Sequence, residues 1–175
     1  YGVNPDIIQI IPHGQIVFRD YGKNYLKKKL ELQRSLVLGS YGFILPNKGI
    51  RENIEALAII KKSVTDVLYL VCCARHESSV SAQYLAECKE LVTKLGLESN
   101  VVFITDFLPN DESIVLLQCC DVLLMTYLPS PESASGAVRF CIAAKRPLIT
   151  TDQPIFAEFA DCTYQIPEAD PKLIA

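Results

Sequence analysis

From Leu36 onward the chain alternates between short apolar runs and amphipathic segments of helical period. This alternation is typical of βαβ units, in which parallel strands are joined by helices that pack on the sheet. The repeats follow one another without an internal change of composition. We therefore predict an α/β fold over residues 36–175, a doubly wound and mainly parallel sheet with helices on both faces.

The individual elements follow from the same pattern. Apolar runs predict strands over 36–41, 67–73, 101–105, 121–127, 147–150 and 162–165. Amphipathic segments predict helices over 50–61, 79–95, 112–119 and 135–144, with a short helix over 154–159. Ligands bind such sheets at the carboxyl ends of the strands. We therefore expect loops 41–49, 74–79, 106–110 and 128–136 to form one ligand-binding edge.

Residues 1–35 have a different character. Ile7 to Ile11 is strand-like, and 21–33 is polar and rich in lysine, so we expect a linker and entry strand from a missing N-terminal domain. Lys27, Lys28 and Lys29 are expected to form the solvated face of a short helix. The chain stops at Ala175 with no closing helix in the pattern, which suggests a domain truncated at its C-terminus.

Composition restricts the class of protein. The net charge of −3 argues against a general nucleic-acid or membrane-surface binder. The seven cysteines include two adjacent pairs inside apolar runs and show no metal-binding spacing, so we interpret them as core residues. Free thiols are typical of a reducing compartment, and we expect a cytoplasmic location. Any membrane association would come through the missing domain.

The run Pro131 to Thr150 indicates an anion site. Glu132 follows an apolar strand, and Ser133, Ala134, Ser135 and Gly136 open a helix. Small residues at a helix N-terminus leave N–H groups that favour a phosphate. The alternative is an ordinary N-cap, with Ser133 or Ser135 capping the helix and no ligand bound.

Lys48 is a second candidate for anion binding. It stands before Gly49 at the start of the helix predicted over 50–61, where its ammonium can reach a phosphate at the sheet edge. A solvated lysine is the alternative. Lys48 and Glu132 should lie on the same edge, which favours a shared site.

The order of motifs resembles a known family. PNKGI, LGL after a long helix, VVFITDFLP, ESIVLLQCCDVLLMTY, PESASG and the RP before a short strand occur in succession. Together they are similar to the C-terminal, donor-binding domain of retaining GT-B glycosyltransferases of family four, the glycosyl transferases group 1 type. The resemblance covers roughly residues 36–159.

The resemblance implies roles for several residues. Lys48 matches the family's lysine on the diphosphate of a nucleotide sugar, and Glu132 matches a glutamate that contacts the sugar. Ser133, Ala134, Ser135 and Gly136 match the turn whose amides hold the phosphates. Lys48 and Glu132 are therefore the candidate catalytic residues, and both belong to the donor-binding set with that turn. The base is expected near Phe107 and Leu108.

The sequence also departs from the family pattern. Phe43 stands where the family has an arginine, and Phe140 stands where a second glutamate binds the ribose. A missing arginine removes a charge that stabilises the departing diphosphate. Arg75, His76 and Arg139 are candidates for a replacement cation. His13, in a segment similar to the family's interdomain linker, is expected to be structural.

The expected function is that of a donor-binding domain in a metal-independent glycosyltransferase of the hexosyltransferase type. It would move a sugar from a nucleotide sugar with retention of configuration, in polysaccharide or glycoconjugate synthesis. We expect no cofactor besides the donor substrate. The acceptor would bind the missing N-terminal domain, so the fragment alone is expected to be inactive. The alternative is a degenerate, non-catalytic domain that serves as a binding module.

Overall fold

The computed structural model describes residues 2–9, 11, 14–32 and 34–175. Within this part of the chain, six strands form a fully parallel sheet in the order β3-β2-β1-β4-β5-β6. The strands are β1 (Leu36–Phe43), β2 (Val67–Ala74), β3 (Val101–Ile104), β4 (Val122–Met125), β5 (Leu148–Thr151) and β6 (Tyr164–Ile166). The helices are α1 (Lys23–Lys29), α2 (Ile50–Ile60), α3 (Ser79–Lys94), α4 (Asn110–Gln118), α5 (Gly136–Ala143) and α6 (Pro171–Ile174).

Two hydrophobic layers enclose the sheet, one on each face. Alternate residues of β2 enter opposite layers: Leu68 and Leu70 pack with α4 and α5, while Tyr69 and Val71 pack with α2 and α3. Every residue of β2 is buried. A strand covered on both faces is continuously apolar rather than alternating. The doubly wound α/β fold predicted from the sequence is thus confirmed.

The order of the strands reverses between β1 and β4. Chain connections leave this point in opposite directions, so the carboxyl ends of β1 and β4 border an open crevice rather than a crossing helix. The crevice lies at the edge that the sequence predicts for ligand binding.

The structure differs from several sequence predictions at the ends of the chain. The N-terminal segment contains a 3₁₀ helix over Pro5–Ile7, and the described residues around it form no strand. The short helix near residue 154 is a 3₁₀ segment that runs over Pro154–Cys162. β6 therefore begins at Tyr164 rather than near residue 162. After β6 the chain forms α6, which the pattern did not predict. His13 lies outside the described residues.

The lysine-rich segment forms α1, but it is only partly a solvated face. Lys28 and Lys29 are exposed as expected. Lys27 instead forms an ion pair with Asp121, which also binds Lys23 at 2.5 Å. The pairs fasten α1 to the loop before β4.

Candidate functional site

A cavity of about 360 Å³ opens at the carboxyl ends of β1 to β4. Its wall takes residues from all four loops that the sequence places at this edge, and the loop over 74–79 contributes only Ala74 at its start. The lining is mainly apolar and aromatic, with a few charged and hydroxyl groups. Such a lining is typical of small-molecule sites, in which a few polar groups fix the orientation of the ligand.

Lys48 lies in the cavity wall at the end of a 3₁₀ turn over Pro46–Lys48. Its Nζ donates a hydrogen bond of 2.6 Å to Oε2 of Glu132 and lies 4.1 Å from the centre of the Tyr127 ring. The side chain is only 11% exposed. Lys48 is therefore a partly buried cation held over an aromatic face, a favourable electrostatic contact, and not a solvated lysine.

Glu132 receives hydrogen bonds from two neighbouring residues. Besides Lys48, Nδ2 of Asn47 donates to Oε1 at 3.1 Å. Partial burial acts to raise the pKa of the Glu132 carboxyl, but the hydrogen bonds from Lys48 and Asn47 and the charge of Lys48 outweigh it. The pKa of Glu132 lies below its ordinary value, so the carboxyl is ionised at neutral pH. Asn47 was not predicted as a site residue, although it adjoins Lys48 in the sequence.

Gly49 brings Lys48 and the start of α2 against the end of β4. Its φ of 70° is left-handed, and a Cβ there would lie 1.9 Å from the carbonyl oxygen of Thr126. Only glycine permits this backbone conformation and this close approach together. The amide of Leu128 donates to the carbonyl of Asn47 at 3.0 Å, which ties the same two loops a second time.

A buried polar network lies beneath these loops. Asn53 on α2 donates to the hydroxyl of Tyr69 on β2 at 3.0 Å, and it accepts from Oγ1 of Thr126 at 2.8 Å. The Tyr69 hydroxyl lies 2.7 Å from Oγ of Ser40 on β1. All four residues are buried. The network fixes α2 to β1, to β2 and to the residue after β4, below the cavity. In the sequence, the one sign of this network is the polar Asn53 on the apolar face of α2.

The N-terminus of α5 forms another wall of the cavity. Ser135 is the N-cap, and its Oγ accepts from the amide of Val138 at 3.3 Å. Glu132, Ala134, Ser135 and Gly136 line the cavity. The exposed Ser133 stands outside that wall. Ser135 therefore caps α5, and the first-turn amides of the same helix lie at the cavity, where the helix dipole favours an anion.

Gly42 allows α5 to approach β1. Its φ is 133°, and a Cβ at this position would lie 3.3 Å from Cβ of Ala137 in the first turn of α5. The small residues at both positions keep the helix N-terminus close to the end of the strand. This contact places the α5 amides and the Lys48 loop on the same cavity.

The two phenylalanines at departures from the family pattern both line the cavity. Phe43 contacts His76 edge to face at 5.4 Å between ring centres, with Phe107 at 6.3 Å. Phe140 packs against Tyr41 at 5.2 Å. Both positions are aromatic and carry no charge.

The candidate replacement cations lie elsewhere. Arg139 is buried, donates to Glu158 at 2.7 Å and stacks over Phe159 at 5.0 Å, while Arg75 is exposed outside the cavity wall. His76 touches Phe43 from outside that wall. Among the described residues, Lys48 is therefore the one Lys or Arg that lines the cavity.

Comparison with known proteins assigns the family. The family model for glycosyl transferases group 1 matches residues 23–164. The chain belongs to the glycosyl transferases group 1 family. A search of curated protein sequences found no match.

Solved structures of glycosyltransferases share the fold. WaaG, a glycosyltransferase involved in lipopolysaccharide biosynthesis, is 26% identical over 99% of this chain and 47% of its own, with a TM-score of 0.74. The C-terminal domain of a glycosyl transferase group 1 family protein, LpcC from Francisella tularensis, gives 18% identity, 89% and 79% coverage and a TM-score of 0.75. HepE from Anabaena, solved with UDP and glucose, gives 19% identity, 87% and 40% coverage and a TM-score of 0.73.

These matches confirm the predicted Rossmann-like half of a GT-B fold. The chain spans less than half the length of WaaG and of HepE. Within the residues that the structure describes, no helix combines the length and the apolar character needed to cross a membrane.

Proposed function

We propose that this chain is the donor-binding domain of a retaining glycosyltransferase of the hexosyltransferase type. It would hold a nucleotide sugar while the sugar passes to an acceptor bound by a separate N-terminal domain. The observation that carries the proposal is the Lys48–Glu132 pair in a cavity whose facing wall is the N-terminus of α5. A cation, a helix N-terminus and a carboxylate are the groups that a sugar diphosphate needs.

The reaction breaks the bond between the anomeric carbon and a phosphate oxygen, which leaves a positively charged sugar centre and a nucleoside diphosphate. Stabilising the charge on that diphosphate is the main task of the site. Lys48 and the first-turn amides of α5 would supply this stabilisation. We propose that the reaction proceeds without a metal ion.

The pairing of Lys48 with Glu132 suggests how the donor enters. Without a ligand the two charges neutralise each other at 2.6 Å. A diphosphate competes with Glu132 for the ammonium, and the released carboxylate then accepts hydrogen bonds from sugar hydroxyls. Binding of the diphosphate would thus free the Glu132 carboxylate to form hydrogen bonds with the sugar.

Calorimetric titration of the chain with UDP-, GDP- and ADP-sugars tests donor binding. We expect saturable binding of at least one of them, and Lys48→Met should weaken it by at least about tenfold because a charged hydrogen bond to phosphate is lost. The control is Lys62→Met, which removes an exposed lysine after α2. Equal affinity of the wild type and Lys48→Met would contradict the proposal.

A second candidate is a degenerate domain that binds a partner and catalyses nothing. Phe43 and Phe140 favour it, because neither supplies the charge found at that position in the family. Failure of every nucleotide sugar to bind would support this candidate over the first.

The cellular role is proposed from the relatives. Synthesis of a polysaccharide or glycoconjugate is consistent with the role stated for WaaG. We propose that the enzyme works in the cytoplasm, that any membrane attachment belongs to the N-terminal domain, and that this domain alone does not transfer sugar. Domain 36–175 would then follow a linker formed by residues 1–35.

A further inference from the structure

On the side of the cavity beside Phe140, the described residues provide no carboxylate that could accept hydrogen bonds from ribose hydroxyls. A carboxylate that accepts from ribose hydroxyls is common in nucleotide-binding α/β folds. Here that side of the cavity is formed by Phe140 and Tyr41, whose rings lie 5.2 Å apart, with Cys72 and Ala137 beside them. These side chains offer a ribose no carboxylate.

Among the described residues, two carboxylates line the cavity, those of Glu132 and Asp106. Glu132 is held by Lys48 and Asn47 on the opposite loop. Asp106 follows β3 and is exposed at the rim. Ribose hydroxyls packed against Phe140 would therefore find no carboxylate that accepts their hydrogen bonds.

Aromatic side chains dominate the mouth of the cavity. Phe43 ends β1, His76 follows β2 and Phe107 follows β3. The Phe43 ring contacts His76, just outside the cavity wall, at 5.4 Å between ring centres and Phe107 at 6.3 Å. Phe43 is 39% exposed and Phe107 is 79% exposed. Exposed aromatic faces at a cavity mouth can stack on a planar base and lose water in doing so. We call Phe43, His76 and Phe107 the aromatic rim.

We propose that the donor's nucleoside is recognised by stacking of its base on the aromatic rim, and not through its ribose hydroxyls. The site then accepts 2′-deoxyribonucleoside diphosphate sugars as readily as ribonucleoside diphosphate sugars. This inference rests on the proposed function. It adds that the base is the part of the nucleoside that the site recognises, and that the aromatic rim recognises it.

Matched ligands separate the contributions of base and ribose. The chain is titrated calorimetrically with UDP, 2′-deoxy-UDP and inorganic pyrophosphate, and with the GDP and ADP pairs in the same way. We expect each deoxy ligand to bind within about threefold of its ribo partner. Pyrophosphate should bind at least about tenfold more weakly, because it has no base to stack.

Variants of the aromatic rim test the stacking directly. Phe107→Leu and Phe43→Leu should each weaken binding of the preferred nucleoside diphosphate by about tenfold and leave pyrophosphate binding unchanged. Tyr164→Leu is the control, since it removes an aromatic ring that is 71% exposed on the edge strand β6. Phe107 is so exposed that its replacement is not expected to disturb folding.

The outcomes are distinguishable from failure of the proposed function. Binding of ribonucleoside diphosphates with a loss of tenfold or more for the deoxy partners would overturn this inference and leave the proposed function standing. Removal of that discrimination by Asp106→Asn would identify Asp106 as the ribose ligand. Unchanged affinity in both phenylalanine variants would also overturn the inference. Absence of any nucleotide binding would overturn both.

Discussion

Nζ of Lys48 lies 2.6 Å from Oε2 of Glu132, although the two residues are 84 positions apart in sequence. Lys48 ends the turn after β1, and Glu132 belongs to the loop after β4. Neighbouring strands bring these loops together at the point where the strand order reverses. The contact gives the cavity a pair of opposite charges that neutralise each other without a ligand. An anionic ligand can bind the Lys48 ammonium in place of Glu132.

The first prediction concerns pH and Glu132. Its pKa is lowered in the folded chain, so its contribution to stability is present above the ordinary carboxyl pKa and is lost as pH falls through the lowered folded value. The wild type should lose more unfolding free energy than Glu132→Gln between pH 6 and pH 3. We expect a difference below about 1 kcal/mol, because the Glu132 side chain is 37% exposed and water screens the pair. Urea unfolding at both pH values measures it, and identical losses would contradict the prediction.

The second prediction compares two glycines with positive φ. Gly96→Ala should cost about 1 kcal/mol, because its φ is 64° but its surroundings are open. Gly49→Ala has a similar φ and would also drive Cβ to 1.9 Å from the Thr126 carbonyl oxygen. We expect it to cost about 3 kcal/mol or more. Chemical denaturation measures both variants, and equal costs would show that the contact with Thr126 is relieved easily.

The third prediction addresses the buried network. Asn53→Leu removes the partner of Thr126 and one partner of Tyr69 while keeping the side-chain volume similar. We expect a loss of about 2 kcal/mol in unfolding free energy, because buried polar groups are left unpaired. Asn24→Leu, at an exposed position of α1, is the control and should change stability by less than about 0.5 kcal/mol. An equal effect in both variants would contradict the role of the network.

The fourth prediction concerns Asp121, which accepts from Lys23, from Lys27 and from the amide of Val37. Burial acts to raise its pKa, but these hydrogen bonds and the charge of Lys27 together lower it. Asp121→Asn should cost about 2 kcal/mol at pH 7, since Lys27 loses its partner.

That cost should shrink as pH falls below about 4, because the unfolded wild-type carboxyl is then protonated and the folded carboxyl follows as pH passes its lowered pKa. Urea unfolding at pH 7 and pH 3 measures the difference. Asp152→Asn, at an exposed position, provides the control. A cost for Asp121→Asn that is independent of pH would show that charge is not its cause.

The fifth prediction uses the cysteines. Cys162 is exposed, and the other six are buried, where burial raises the pKa of Cys72 to about 12. The pKa of the Cys119 thiol is instead lowered, mainly by its hydrogen bond with Cys120, but its side chain is fully buried. A thiol that a disulfide reagent cannot reach is unreactive whatever its pKa. We expect one fast-reacting thiol in the native chain and seven after denaturation in Ellman titration. Cys162→Ser should abolish the fast reaction, and a second rapid thiol in that variant would contradict the burial of the remaining cysteines.

Much of the candidate site could be predicted from the sequence because its residues follow strands. Lys48, Glu132 and the Ser135–Gly136 turn each stand just after an apolar run, and parallel strands place such positions on one edge. Ser133 was predicted with them but is exposed and lies outside the cavity wall. The direction of one side chain in a loop depends on contacts that no local pattern records.

Other features needed contacts between distant segments. Lys27 reads as a solvated lysine in a polar helix, and only the position of Asp121 makes it an anchor of α1. Asn53 was visible as a polar residue on an apolar helix face, but its partner Tyr69 lies on β2 and its partner Thr126 follows β4. The ion pair of Arg139 likewise could not be predicted, because its partner Glu158 belongs to the 3₁₀ segment before β6.

The sequence by itself determined the α/β class and the loops that form the functional edge, because hydrophobic period and turn residues act locally and repeat along the chain. The tertiary structure alone decided that Lys48 pairs with Glu132. It also decided that Arg139 binds Glu158 outside the cavity wall and that Phe43 contacts Phe107 at the cavity mouth. Those contacts depend on strand order and on distances between loops. Both are set only when every helix packs on its face of the sheet.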